Sequence, residues 1–339
     1  GWREQGVSPW VFLTARMPPP YWTWFDVNLN LAGYAPLGFL LALALLRTHW
    51  PRAAVPAAAL AGALLSLSME FLQIYLPRRV PSNMDLGLNA AGALLGALVA
   101  ALLERLGAIS HWSRFRERWF VPQARGALVL LALWPWALLF PAALPLGLGQ
   151  VWERLEAALA DVLEGTPFSA WLPAVDLALE PLSPGGELLA VALGLLIPCL
   201  LGFCIMRHMG RRMLLALSAL AVGVAATALS ALLSYGPAHA WEWLTPATAI
   251  GLGVGLAAAL GLATLPRRGC AAVLLLVLML HLNLLNQAPT NAYFAQTLQA
   301  WEQGRFIRFY GLGQWLGWLW PYAALLYVLL RVSRRDVQS

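Results

Sequence analysis

Eight polar side chains in the first third of the chain stand between long runs of alanine, leucine, valine and glycine. Asp26 and Asn30 are four apart, Glu70 and Gln73 are three apart, and Asp85 and Asn89 are four apart. Those spacings place each pair on one helical face. Arg78 and Arg79, with Ser82 and Asn83, fill the short link between the second and third pairs. Three carboxylates and two guanidiniums in this order can form a polar pocket. An arginine pair grips phosphate or carboxylate in a planar fork, which makes Arg78 and Arg79 candidate ligand-binding residues beside Asp26, Asn30, Glu70, Gln73, Asp85 and Asn89. Glu70 and Asp85 are the candidates for a general base, a role that burial suits a carboxyl to play. A charge in hydrocarbon costs at least ~2.5 kcal/mol. Glu70 therefore needs a partner, water or a proton, and Arg78 and Arg79 are its nearest cations in sequence. The competing reading is a closed salt-bridge and hydrogen-bond network that only pins helices together.

The elements that must position these groups follow from hydropathy. The chain has 339 residues, 60% of them apolar and 11% charged, against about a quarter charged in soluble domains. The apolar residues fall in runs without strand-like alternation, which points to helices in lipid and away from a transmembrane barrel. Runs of about 20 residues predict nine spans, at 27–46, 53–76, 84–104, 126–147, 186–206, 213–234, 245–265, 269–287 and 313–331. All 22 basic residues are arginine. Fifteen lie in the links near 47–52, 105–125, 207–212, 266–268 and 331–339, and seven in the intervening set. The arginine-rich set is expected to be cytoplasmic. This puts the N-terminus and all eight candidate residues on the external side, and the C-terminus inside. Because the chain begins with Gly1, a tenth span is expected to precede it.

The fold class is thus an all-α polytopic transmembrane bundle. Residues 1–106 form a first transmembrane domain, 107–125 a cytoplasmic amphipathic linker, 126–265 a second four-span unit, and 266–339 a C-terminal helix pair with an external loop. Val151, Trp152, Leu155, Leu159 and Val162 recur at helical spacing and predict an external interfacial helix over 149–165. Trp112, Phe115 and Trp119, interleaved with Arg114, Arg116 and Arg118, suit the inner membrane surface. A parallel four-span repeat is suggested by Ser66–Gln73, Pro77, Gly92 and Gly96 against Ser230–Ser234, Pro237, Gly251 and Gly255. In this repeat Thr245 and Ala249 stand roughly where Asp85 and Asn89 fall, and the later unit is expected to have lost the site and become scaffold or a different binding surface.

The ordered set Asp26-x3-Asn30, Pro36-Leu37-Gly38-Phe39-Leu40, Ser68-x-Glu70-x2-Gln73, Pro77-x-Arg79 and Asp85-x3-Asn89-x2-Gly92-x3-Gly96 resembles the VanZ family of bacterial membrane proteins over about residues 24–104. That family is named for a protein linked to low-level teicoplanin resistance. The resemblance implies a bacterial inner-membrane location and a cell-envelope role. It carries function onto Asp26, Asn30, Glu70, Gln73, Arg79, Asp85 and Asn89, with Arg78 less supported by the pattern.

Several classes are excluded or disfavoured. Without lysine the chain has no Walker A lysine, Schiff base or Ser-Lys dyad. Cys199, Cys204 and Cys270 form no C-x-x-C pair, so neither metal nor disulfide framework is expected. Gly251-Leu-Gly253-Val-Gly255 lies inside a span and reads as helix packing, not nucleotide binding. The excess of arginine fits cytoplasmic loops and anionic lipid, so no nucleic-acid partner is expected. No cofactor is expected, and membrane lipids are the expected partners. Three functions stay open: binding, with or without modification, of an envelope glycolipid or peptidoglycan precursor; a transporter or flippase; and a non-catalytic scaffold. No reaction and no oligomeric state are readable.

Overall fold

The computed structural model describes residues 8, 10–18, 22–48, 50–75, 80–168, 182–287 and 310–333. Among them the regular structure is helical, in the order α1 (Trp24–Leu46), α2 (Ala54–Gln73), α3 (Asn83–Arg105), α4 (Ala108–Trp119), α5 (Arg125–Ala137), α6 (Trp152–Leu163), α7 (Pro184–Phe203), α8 (Met209–Tyr235), α9 (Pro246–Leu262), α10 (Arg267–Gln287) and α11 (Tyr310–Ser333). Seven of these are long and apolar enough to cross a membrane: α1, α2, α3, α7, α8, α10 and α11. The chain is a multi-pass membrane protein. It divides into two compact units, Gly1–Arg116 and Glu117–Ser339.

In the first unit α3 packs against both α1 and α2. The contact faces are built of small residues. Ala42, Ala58, Ala93, Ala97 and Ala100 are fully buried, whereas Leu40, Leu60, Leu64, Leu98 and Val99 are exposed. Large apolar groups facing outward and small ones inward is the pattern of helices solvated by lipid. Gly92 and Gly96 are what let α3 approach α1. A Cβ on Gly92 would overlap the Leu31 carbonyl, and one on Gly96 the Ala35 carbonyl. Both helices begin with side-chain caps. Thr23 accepts a hydrogen bond from the Asp26 amide, and Ser82 from the Asp85 amide, covering amides that a helix start leaves without partners.

The second unit is organised around α7, which is buried continuously from Ala190 to Phe203 and packs against α5, α8, α9 and α10. Gly251 and Gly255 bring α9 close to α7, where a Cβ would lie 2.7 Å from the Leu188 oxygen and 2.9 Å from the Ala192 oxygen. At the far ends of α7 and α9, the buried Arg212 guanidinium donates to the carbonyls of Met206 (3.0 Å), Ala263 (3.0 Å) and Leu265 (2.6 Å). One side chain thereby serves carbonyls that two helix C-termini cannot pair internally. Cys199, Cys204 and Cys270 are buried and unlinked.

The fourth and seventh expected spans differ from their outlines. α9 has 17 residues and α5 only 13. Thirteen residues reach about 20 Å, short of the ~30 Å hydrocarbon layer. Pro141 and Pro145 follow α5 in place of further helix-forming residues, and each lacks the amide a helix needs. Hydropathy over 126–147 continues through this stretch, but the helix does not. Residues 138–150 instead run irregularly through the protein interior. Leu138, Phe140, Leu146 and Leu148 are all at most 5% exposed. Their backbone is satisfied by neighbours: Ser230 donates to the Leu139 carbonyl at 3.0 Å, the Gly149 amide to Gly317 at 2.9 Å, and Tyr322 to the Gly149 carbonyl at 3.0 Å. Irregular backbone at membrane depth survives only where protein encloses it. Gly149, at φ +98°, also lies where a side chain would strike Pro321.

The predicted interfacial helix is α6, which leaves Trp152, Leu155, Leu159 and Val162 exposed together. The side chains of Glu153 and Glu156 lie outside the described residues. The predicted basic amphipathic segment is α4, with Trp112 and Phe115 stacked at 5.5 Å.

Candidate functional site

Each helix of the first unit carries a polar row at the same end. On α1 the row is Asp26, Asn30 and Tyr34, each one turn beyond the last. On α2 it is Ser66 and Glu70, with Gln73 beyond them. On α3 it is Asp85 and Asn89. From Asp26 to Tyr34 the α1 row runs about 12 Å inward. Below it the helices close on Gly38, Gly62, Ala93, Gly96 and Ala97, all buried.

The rows are joined across the helices. The Asn30 amide donates to Asp85 Oδ1 at 2.9 Å, linking α1 to α3. The Asn89 amide donates to Ser66 Oγ at 2.9 Å, linking α3 to α2. Glu70 Oε2 accepts the backbone amide of Ser82 at 2.9 Å and so holds the N-cap residue of α3 against α2. Tyr34 lies beside Ser66 and within electrostatic range of Glu70. Asp26 is bound to its own cap, accepting from the Thr23 hydroxyl at 2.7 Å, and is close enough to Asp85 for the two carboxylates to repel.

The sequence-predicted residues thus fall into three groups. Asp26, Asn30, Glu70, Asp85 and Asn89 come together. Gln73 is half-buried one turn beyond Glu70 and is not drawn into these bonds. Arg78 and Arg79 lie outside the described residues. Of the two candidate bases, Glu70 is 3% exposed and committed to the Ser82 amide, whereas Asp85 is only half-buried. Asn83 binds differently, donating to the Ala15 carbonyl at 2.7 Å and tying the segment before α1 to the start of α3. Tyr34 was missing from the sequence-based set. Its signal was the continuing four-residue period of Asp26 and Asn30, which ordinary apolar belts also show.

One buried polar atom is left over. Asn89 is 6% exposed, and its Oδ1 has no hydrogen-bond partner among the described residues. Buried polar atoms are nearly always paired, so an acceptor of this kind marks where a donor can be received.

The same helices carry a family match. Residues 5–104 match the VanZ/LLP1 family. This stretch is VanZ-like. The match ends within one residue of the end of α3, so the VanZ-like segment coincides with the three-helix packing just described. No curated protein and no solved structure matches the chain.

Proposed function

We propose that the VanZ-like unit binds the polar head of an amphiphilic cell-envelope lipid or glycan precursor at the external face of the bacterial cytoplasmic membrane. The C-terminus of the chain is then cytoplasmic, as the arginine distribution requires. The glycopeptide-resistance association of VanZ-like proteins fits a ligand of this class. The observation that carries the reading is the Asn89 acceptor, which has no partner among the described residues and is buried where Asn30, Asp85 and Ser66 are bonded across the helices. A polar row ending about 12 Å inside, above closely packed glycine and alanine, supports binding from one side over passage through this unit.

Lipid mass spectrometry on the purified protein tests this. Wild type is expected to retain one enriched amphiphile that Asn89→Leu and Asp85→Asn both lose, with all three proteins equally folded. Recovery of bulk membrane lipid alone from wild type would sink the proposal. A second reading, a non-catalytic scaffold, is favoured by the bonds from Asn30, Asn89 and Ser82 that knit the three helices. It expects the same variants to lower thermal stability and to leave the retained lipids unchanged.

A further inference from the structure

The second unit holds a cavity of about 430 Å³, lined where α7, α8 and α9 meet the irregular segment after α5. That volume is within the range of small-ligand pockets. Its deep wall is apolar, with Leu138, Phe140 and Leu146 among the lining residues. Its rim is acidic. Glu187 projects from the first turn of α7, and Glu242 from the α8–α9 connection.

The disposition of hydrogen bonds shows what the rim can accept. Glu187 Oε1 takes both neighbouring hydroxyls, from Thr245 at 2.9 Å and Thr248 at 3.1 Å. No described residue is bonded to Oε2. Glu242 Oε2 pairs with His239 Nδ1 at 2.7 Å. No arginine is among the residues lining this described cavity. Thr227, eight residues inside the end of α8, also lines it, and its Oγ1 is buried without a partner among the described residues. A phosphate or carboxylate would meet two acids and no guanidinium. A positively charged donor would meet complementary groups with an apolar wall behind it.

The position of the cavity within its unit adds to this. Glycines bring α9 against α7 as they bring α3 against α1, and a hydroxyl residue caps the third helix in each case, Ser82 and Thr245. A carboxylate on the first helix faces that cap region in both, Asp26 near Asp85 and Glu187 on Thr245 and Thr248. The second unit has hydroxyls where the first has Asp85, and the cavity lies beside them.

We infer that this cavity is a second binding site, for an amphiphile bearing a primary ammonium group. The ammonium sits on Glu187 at the rim, and the rest of the molecule lies inward along Leu138, Phe140, Leu146 and Thr227. The inference does not rest on the function proposed for the VanZ-like unit.

Binding of octylammonium and octanoate to the purified full chain, followed by thermal shift and native mass spectrometry, tests it. Octylammonium is expected to bind saturably and at least tenfold tighter than octanoate. Glu187→Gln keeps the acceptor for Thr245 and Thr248 and is expected to lower octylammonium affinity at least tenfold. Thr227→Leu fills the cavity without touching the rim and is expected to do the same. Equal binding of the two probes, or unchanged binding in both variants, overturns the site. Dihexanoyl phosphatidylethanolamine and free ethanolamine then identify the source. Displacement of octylammonium by the lipid alone assigns a membrane aminolipid, displacement by both assigns a soluble amine, and displacement by neither refutes the ammonium assignment.

Discussion

Glu70 separates two roles that a carboxylate in a membrane helix can play. It is 3% exposed, and its Oε2 accepts the Ser82 amide at 2.9 Å. Glu70→Gln preserves an oxygen for the Ser82 amide and removes the charge. A hydrogen bond to a charged group contributes about 1.5–3 kcal/mol and a neutral one about 0.5–1.5, so the substitution gives up roughly 1 kcal/mol. Glu70→Gln is therefore expected to cost roughly 1 kcal/mol. Glu70→Leu removes the acceptor and leaves the Ser82 amide without its partner, which costs about 1–3 kcal/mol. Unfolding of the purified protein in mixed micelles, with denaturing detergent as titrant, compares the three. The expected order of stability is Glu, then Gln, with Leu lowest. If Gln and Leu unfold together, well below wild type, the Ser82 bond is not what holds the α2–α3 turn. If Gln is stable but loses the retained amphiphile, the charge serves binding and the oxygen serves the fold.

Other substitutions probe the scaffold. Gly96→Leu places a side chain against the Ala35 carbonyl and is expected to cost about 1–3 kcal/mol of overpacking. It is also expected to lower disulfide formation between cysteines introduced at Asn30 and Asp85, relative to the same pair without Gly96→Leu. Arg212→Met leaves the carbonyls of Met206, Ala263 and Leu265 without their donor. A loss of about 3 kcal/mol or more is expected, read as a fall in Tm, with Arg212→Lys intermediate because one ammonium cannot reproduce the fork.

Much of the architecture was legible because lipid imposes a simple rule. Long apolar runs become helices, as α1, α3, α7, α8 and α10 show within a few residues of their expected ends. The same rule fails over 126–147, since hydropathy measures the wish to leave water and not the ability to stay helical. Pro141 and Pro145 carry the missing information. At the site, the i, i+4 spacing placed Asp26 with Asn30 and Asp85 with Asn89 on shared faces. It could not show which face meets which. That was decided by Gly92 and Gly96, whose lack of a side chain presses α3 on α1 and brings Asn30 to Asp85. Tyr34 went unread because an aromatic residue in a span is ordinarily a packing or belt group. The acidic cavity went unread because Glu187, Thr227 and Glu242 are far apart in sequence and share no period.

The truncated α5 has a consequence for how the chain is made. A 13-residue helix followed by open backbone lacks the length to remain in a bilayer alone. What completes it arrives late in synthesis: Trp320 donates to the Leu130 carbonyl at 2.7 Å, and Gly317 and Tyr322 secure Gly149. All three belong to α11, between 168 and 190 residues after the positions they clasp. The stretch from α5 to Gly149 therefore gains these partners only once α11 has been made.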